Sequence, residues 1–232
     1  MATLNVGMVL FPNLTQLDLT GPHEVLARLP DAEVHLIAAN KRPVISERGL
    51  SIVPTATFDS APPLDFLCVP GGPGVNAMME NDALLEFLRD RAAHARWVTS
   101  VCTGALLLGA AGLLRGYHAT THWLSLDLLP LFGAIPVKER VVIDRNRITG
   151  GGVTAGIDFG LVVARELFGK AVAEEIQLLL EYDPKPPFQS GSRDTAPPAI
   201  VASVAGARDR IQTERLAIAK RAAAQLSKFL ES

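Results

Sequence analysis

The chain has 232 residues, 48% hydrophobic and 20% charged, and its 22 Lys and Arg against 24 Asp and Glu leave a formal net charge of −2. That composition excludes a disordered tail, a collagen-like fibre and a strongly basic nucleic-acid binder. A chain of this length buries a sizeable core, and one domain over residues 1–232 is expected.

Residues 4–10 form a short apolar run closed by Phe11-Pro12-Asn13, which predicts a first strand buried on both faces. Gly21-Pro22-His23-Glu24 predicts the start of a helix, with Gly21 as N-cap and Pro22 at the first helical position, leaving Asp18 in the connection before it. Residues 33–39 read as a second strand, and 44–57 as one or two short extended pieces broken by Gly49 and Pro54. Residues 64–69 predict another buried strand, ended by Pro70-Gly71-Gly72-Pro73-Gly74, whose glycines let the backbone approach something closely. An amphipathic helix over 81–95, a strand over 97–101 and a helix over 104–114 stopped by Gly116 follow. The stretch 97–114 is uncharged and near the length of a membrane span, but its Thr, Ser and Gly content reads better as buried strand and buried helix.

In the second half, 137–144 and 147–149 predict a hairpin turning at Arg145-Asn146, and Gly150 to Thr154 leads into a helix over about 156–168. Residues 170–182 place Val172, Ile176, Leu179 and Leu180 at helical spacing. Residues 182–198, rich in Pro, Gly and Ser, read as a surface excursion, and about 199–230 as an Ala-rich helix. Its Arg208, Arg210, Arg215, Lys220, Arg221 and Lys228 alternate with acidic residues, the pattern of a solvated face. Apolar strands alternating with helices imply an α/β fold, a mostly parallel sheet covered on both faces.

Ser100-Val101-Cys102-Thr103-Gly104 sets a cysteine at the tip of a buried strand with a helix immediately after it. A side chain on such an elbow stands above the sheet edge, and the helix N-terminus is expected to lower the thiol pKa, so Cys102 is the candidate nucleophile. Cys68 also ends a strand, but Val69-Pro70 follows it, and it reads as core. The amides of Gly72 and Thr103 are candidates for binding a developing negative charge beside Cys102. The glycine loop lacks the Lys-Ser/Thr ending of a phosphate-binding loop, which argues against nucleotide there. Asp18, between Leu17 and Leu19, reads either as a desolvated proton carrier or as a capping residue. His122 reads either as a partner of Cys102 or as a structural histidine, whereas His23, His35 and His94 have no metal-site spacing. Two cysteines cannot form a disulfide framework and no basic segment leads into an apolar one at the N-terminus, so a reduced, cytoplasmic setting is expected.

The segments Gln16-Leu17-Asp18-Leu19-Thr20-Gly21-Pro22, Val69-Pro70-Gly71-Gly72-Pro73-Gly74, Val101-Cys102-Thr103-Gly104-Ala105 and Ala119-Thr120-Thr121-His122-Trp123 resemble the ThiJ/PfpI superfamily. With Glu181-Tyr182-Asp183-Pro184 and Pro186-Pro187-Phe188, they look most like its isocyanide hydratase branch over essentially the whole chain. The resemblance implies a flavodoxin-like α/β sandwich, a homodimer, no metal or organic cofactor, and neither nucleic acid nor membrane as partner. By position it makes Cys102 the nucleophile, Asp18 the acid that contacts it and manages protons, and Thr103 a hydroxyl at the site. The implied reaction converts R–NC to an N-substituted formamide through a covalent thioimidate. Protease- and glyoxalase-like members place His after the nucleophile, where this chain has Thr103; deglycase-like members use Glu where it has Asp18. Sensor relatives carry a helix-turn-helix module, for which the about 35 residues after Pro198 are too short. A redox sensor or ligand-binding protein, and a hydrolase of small carbonyl adducts, are the alternative readings, since the same thiol serves all three.

Overall fold

A computed structural model describes residues 3–231. In chain order the elements are β1 (Leu4–Val9), α1 (Gln16–Leu26), β2 (Ala32–Ala38), β3 (Val44–Ile45), β4 (Ser51–Ile52), β5 (Ala56–Thr57) and β6 (Phe66–Val69). There follow α2 (Val75–Met78), α3 (Asp82–His94), β7 (Trp97–Val101), α4 (Gly104–Ala110), β8 (His118–Ala119) and a 3-10 helix over Trp123–Phe132. The chain then runs through β9 (Ile135–Pro136), β10 (Val141–Asp144), β11 (Arg147–Gly150), α5 (Ala155–Phe168), α6 (Lys170–Leu179) and α7 (Pro198–Glu231).

The main sheet has the order β10-β11-β7-β6-β1-β2-β5, and every neighbouring pair is parallel except β10 with β11. This is the expected mostly parallel α/β sheet. Its central strands are buried without alternation, as cover on two faces demands: all four residues of β6, and all but the first of β7, are buried. Helices α1, α5 and α6 pack on one another, while α7, the 3-10 helix and α4 form a second group. From β1 the chain moves outward to β2 and β5, then returns to the other side of β1 to build β6, β7 and β11. The strand order therefore reverses between β1 and β6, and a crevice opens above the carboxyl ends of the strands at such a switch point.

Two helix boundaries differ from the sequence expectation. Helix α1 begins at Gln16 rather than at Pro22, so Pro22 lies inside the helix and Asp18 in its first turn rather than in the connection. Pro22 is held there by packing: a Cβ on Gly156 of α5 would lie 2.9 Å from Pro22 Cδ. Helix α4 stops at Ala110, because Gly112 takes a left-handed conformation (φ 80°). There Leu113 N–H donates to Leu108 O and Gly112 N–H to Gly109 O, closing a Schellman motif. The stretch 44–57 holds three two-residue strands, and β10 begins at Val141, four residues later than expected.

Candidate active site

Three chain segments converge above the switch point: the first turn of α1 after β1, the glycine loop after β6 and the elbow after β7. Cys102 sits on the elbow with φ 55°, a left-handed conformation that costs a non-glycine residue about 1 kcal/mol or more. Hydrogen bonds on both sides hold it there. Its N–H donates to the carbonyls of Gly150 (2.9 Å) and Gly151 (3.0 Å), and its own carbonyl accepts from the Thr121 hydroxyl at 2.7 Å. Gly104 follows so closely beneath the preceding loop that a Cβ there would run into Val69 O, with Pro70 O only 2.7 Å away.

The glycine loop is pressed against both candidate residues. A Cβ on Gly71 would lie 2.5 Å from Thr103 N, 2.7 Å from Thr103 Oγ1 and 2.9 Å from Asp18 Oδ2, so only glycine fits. Gly72 N–H donates to Thr103 Oγ1 at 3.0 Å. The amide considered from sequence as an anion donor is thus engaged by the neighbouring hydroxyl, and Thr103 ties the loop to the elbow.

Asp18 is wholly buried. The Cys102 thiol and the Gly71 amide approach its carboxyl group and lower its pKa, but neither makes a well-aligned hydrogen bond to either oxygen. Burial therefore dominates and raises the pKa from 3.8 to about 7. Of the two readings of Asp18, the desolvated carboxyl is the one observed; its side chain caps nothing. Cys102, 5% exposed, is also pushed up, first by burial and then by the Asp18 charge. The Thr103 amide and the Arg215 charge oppose that shift and do not overcome it. The lowering of the thiol expected from the helix N-terminus is therefore outweighed by burial and by the Asp18 charge. Acid and thiol are accordingly held as a pair in which the thiol keeps its proton and the carboxyl group titrates near neutral pH.

Cys102 and Thr103 open on a cavity of about 90 Å³ that also meets His122 and Val153. Burial, reinforced by the charges of Arg215 and Arg208, holds His122 down to about 4, so the ring is neutral and its Nδ1 accepts from Leu124 N–H at 3.3 Å. Cys68 is fully buried and its thiol is pushed up to about 12 by burial, as a core residue. His23, His35 and His94 lie away from the cavity; His35 bonds Asn5 Oδ1 at 3.1 Å.

The far wall was not visible as such in the sequence. Arg208, Ile211, Gln212 and Arg215 of α7 line it, which corrects the reading of these arginines as one solvated face: Arg215 is 4% exposed. Their spacing puts them on one side of the helix, continuous with the buried Ile218, Ala222 and Leu226. An arginine within that apolar stripe was the available signal. Glu47, also at the cavity, accepts the Thr15 hydroxyl at 2.6 Å.

Residues 5–166 match the model of the DJ-1/PfpI family. The chain is 56% identical to an isonitrile hydratase of Pseudomonas putida over 227 residues, 97% of this chain and 98% of that one. It is 32% identical to an HTH-type transcriptional regulator of Pseudomonas aeruginosa over 77% of its own length, spanning 51% of the regulator. Among solved structures it superposes on a ThiJ/PfpI family protein of Pseudomonas syringae with a TM-score of 0.92 at 47% identity, covering 94% of this chain and 91% of that one. Matched by the family model over well more than half its length, and carrying the elbow cysteine on a flavodoxin-like sheet, the chain belongs to the DJ-1/PfpI family.

Proposed function

We propose that this protein hydrates isocyanides to N-substituted formamides, with Cys102 as nucleophile and Asp18 as proton carrier. The observation that carries the reaction class is the 56% identity, over nearly the full length of both chains, to an isonitrile hydratase. The steps are supported by a thiol at one small cavity and a protonatable carboxyl group buried beside that thiol. The thiol proton passes to the Asp18 carboxylate as sulfur bonds the terminal carbon of R–NC, and from Asp18 to that same carbon. This gives the thioimidate R–N=CH–S–Cys102. Water then adds to the carbon with its proton going to nitrogen, and the C–S bond breaks to release R–NH–CHO, the hydroxyl proton returning to the acid–thiol pair. Net consumption is one water per isocyanide.

Thr103 orders the loop against the elbow, and the Thr103 amide faces the sulfur as it carries charge. Val153 and His122 present a neutral wall to an uncharged reacting group. The protein acts as one domain, α7 completing the cavity begun by the sheet. It works as a homodimer in the cytoplasm: exposed Leu178, Leu179 and Phe188 suit self-association, and two buried free cysteines suit a reducing compartment. No helix among the described residues is long and apolar enough to cross a membrane.

The test is formamide production from an aryl isocyanide, followed by absorbance. Cys102→Ala and Asp18→Asn abolish turnover while leaving the circular dichroism spectrum unchanged; turnover retained in either sinks the mechanism. Faster turnover of methylglyoxal than of any isocyanide would instead favour carbonyl-adduct hydrolysis.

A further inference from the structure

The wall that α7 contributes to the cavity holds a charge the reaction scheme does not use. Arg215 is 4% exposed, and its guanidinium donates from Nε to Asn76 Oδ1 (2.8 Å), from Nη1 to Ser125 Oγ (3.1 Å) and from Nη2 to Gly72 O (3.5 Å). All three acceptors are neutral. Among the described residues no carboxylate lies within ion-pair distance of it, whereas Arg221 on the same helix is paired with Glu80 at 2.8 Å. A guanidinium has five N–H groups and these three bonds engage three of them, at a residue that lines the cavity. Burying a charge without a counter-charge is costly, a cost offset where an anion completes the site.

Arg208 lies seven residues earlier, two turns along the same face, and meets the same cavity. It is exposed and has no ion-pair partner among the described residues. The other ionisable groups there do not neutralise the two arginines: His122 is uncharged, and Glu47 is a single carboxylate already bonded to Thr15. The α7 side of the cavity thus carries a net positive charge, in a site whose reacting group is neutral.

We infer that Arg215 and Arg208 form an anion subsite in the Cys102 cavity, and that it selects isocyanides whose substituent ends in a carboxylate. The isocyano carbon sits at Cys102 while the carboxylate takes the remaining N–H groups of Arg215, with Arg208 nearer the surface. The substrate class rests on the hydratase reading; the anion subsite does not.

The experiment compares alkylation of Cys102 by iodoacetate and by its neutral counterpart iodoacetamide, on the full chain, quantified at Cys102 by mass spectrometry, with glutathione as the reference thiol. The iodoacetate-to-iodoacetamide rate ratio exceeds that of glutathione at least tenfold in the wild type. It falls toward the glutathione value in Arg215→Gln and in Arg208→Gln, is partly kept in Arg215→Lys, and falls with added salt. A wild-type ratio equal to that of glutathione overturns the subsite. So does equal slowing of both reagents in the arginine variants, the result if Arg215 serves only the thiolate. Arg208→Gln changes an exposed side chain, so a folding defect in Arg215→Gln leaves the test intact. In the second arm, kcat/KM for 3-isocyanopropanoate relative to its methyl ester drops at least tenfold in Arg208→Gln. An unchanged ratio overturns the substrate class, and absence of any isocyanide turnover overturns the hydratase reading while the alkylation result stands.

Discussion

Replacing Asp18 with Asn keeps the shape of a wholly buried side chain and removes its proton exchange. In the folded protein burial holds this carboxyl group near 7, against 3.8 ordinarily. Between about pH 4 and pH 7 the folded chain therefore keeps a proton that the unfolded chain has released. A raised folded-state pKa means stability that is present in full below the unfolded value and lost as pH rises through the folded one. At about 1.4 kcal/mol per pH unit, the window corresponds to about 4 kcal/mol, a large fraction of the roughly 5–15 kcal/mol that holds a typical domain together. Urea unfolding of wild type and Asp18→Asn at intervals from pH 4 to pH 8 measures it. Both proteins share every other titrating group outside this pair, and a pH ceiling of 8 keeps the Cys102 thiol largely protonated in the unfolded state as well. The variant gains roughly 4 kcal/mol on the wild type between pH 4 and pH 8, whatever its constant offset. A difference that stays flat with pH refutes the reasoning: burial would then not raise the Asp18 pKa, and the carboxylate would be too weak a base to take the thiol proton.

Two other perturbations act on the same cavity. His122 is held at about 4 against 6.5, so its contribution is complete above pH 6.5 and is lost as pH falls toward 4, by about 3 kcal/mol; His122→Asn removes that acid sensitivity in the same urea series, and an unchanged pH slope contradicts the buried neutral ring. Gly71→Ala drives a methyl group to 2.5 Å from Thr103 N and 2.9 Å from Asp18 Oδ2. It costs about 1–3 kcal/mol of stability and lowers isocyanide turnover at least tenfold, whereas full turnover would show that the loop yields without moving the acid–thiol pair.

Where local sequence alone sets the structure, it was legible. Strand β7 spans the predicted residues 97–101, because a short apolar run is bounded by a charged helix end and by the elbow. The elbow itself follows from Cys102-Thr103-Gly104, since only glycine at 104 lets the helix start beneath the carbonyl of Val69. Contacts between distant residues overrode local signals elsewhere. Pro22 looked like a helix start, but its ring rests on Gly156 of α5, and the helix runs six residues further back. Arg215 disappeared into a balanced charge count, because composition ignores which side of a helix a residue occupies. Reading positions 211, 215, 218, 222 and 226 as one face exposes it.

The direction of the thiol pKa shows how the same site is built against local expectation. A helix N-terminus pulls a neighbouring thiol toward the thiolate, yet at Cys102 burial outweighs that pull. Burial raises the pKa of both Cys102 and Asp18, and the Asp18 charge raises that of Cys102 further, so the pair resists losing both its protons. A reaction that attaches sulfur and a proton to one carbon needs this state, whereas an already ionised pair would attack with no acid at hand. The switch point makes the state possible: the ends of β1, β6 and β7 meet only there, bringing Asp18, Gly71 and Cys102 together with the glycine loop closing over them.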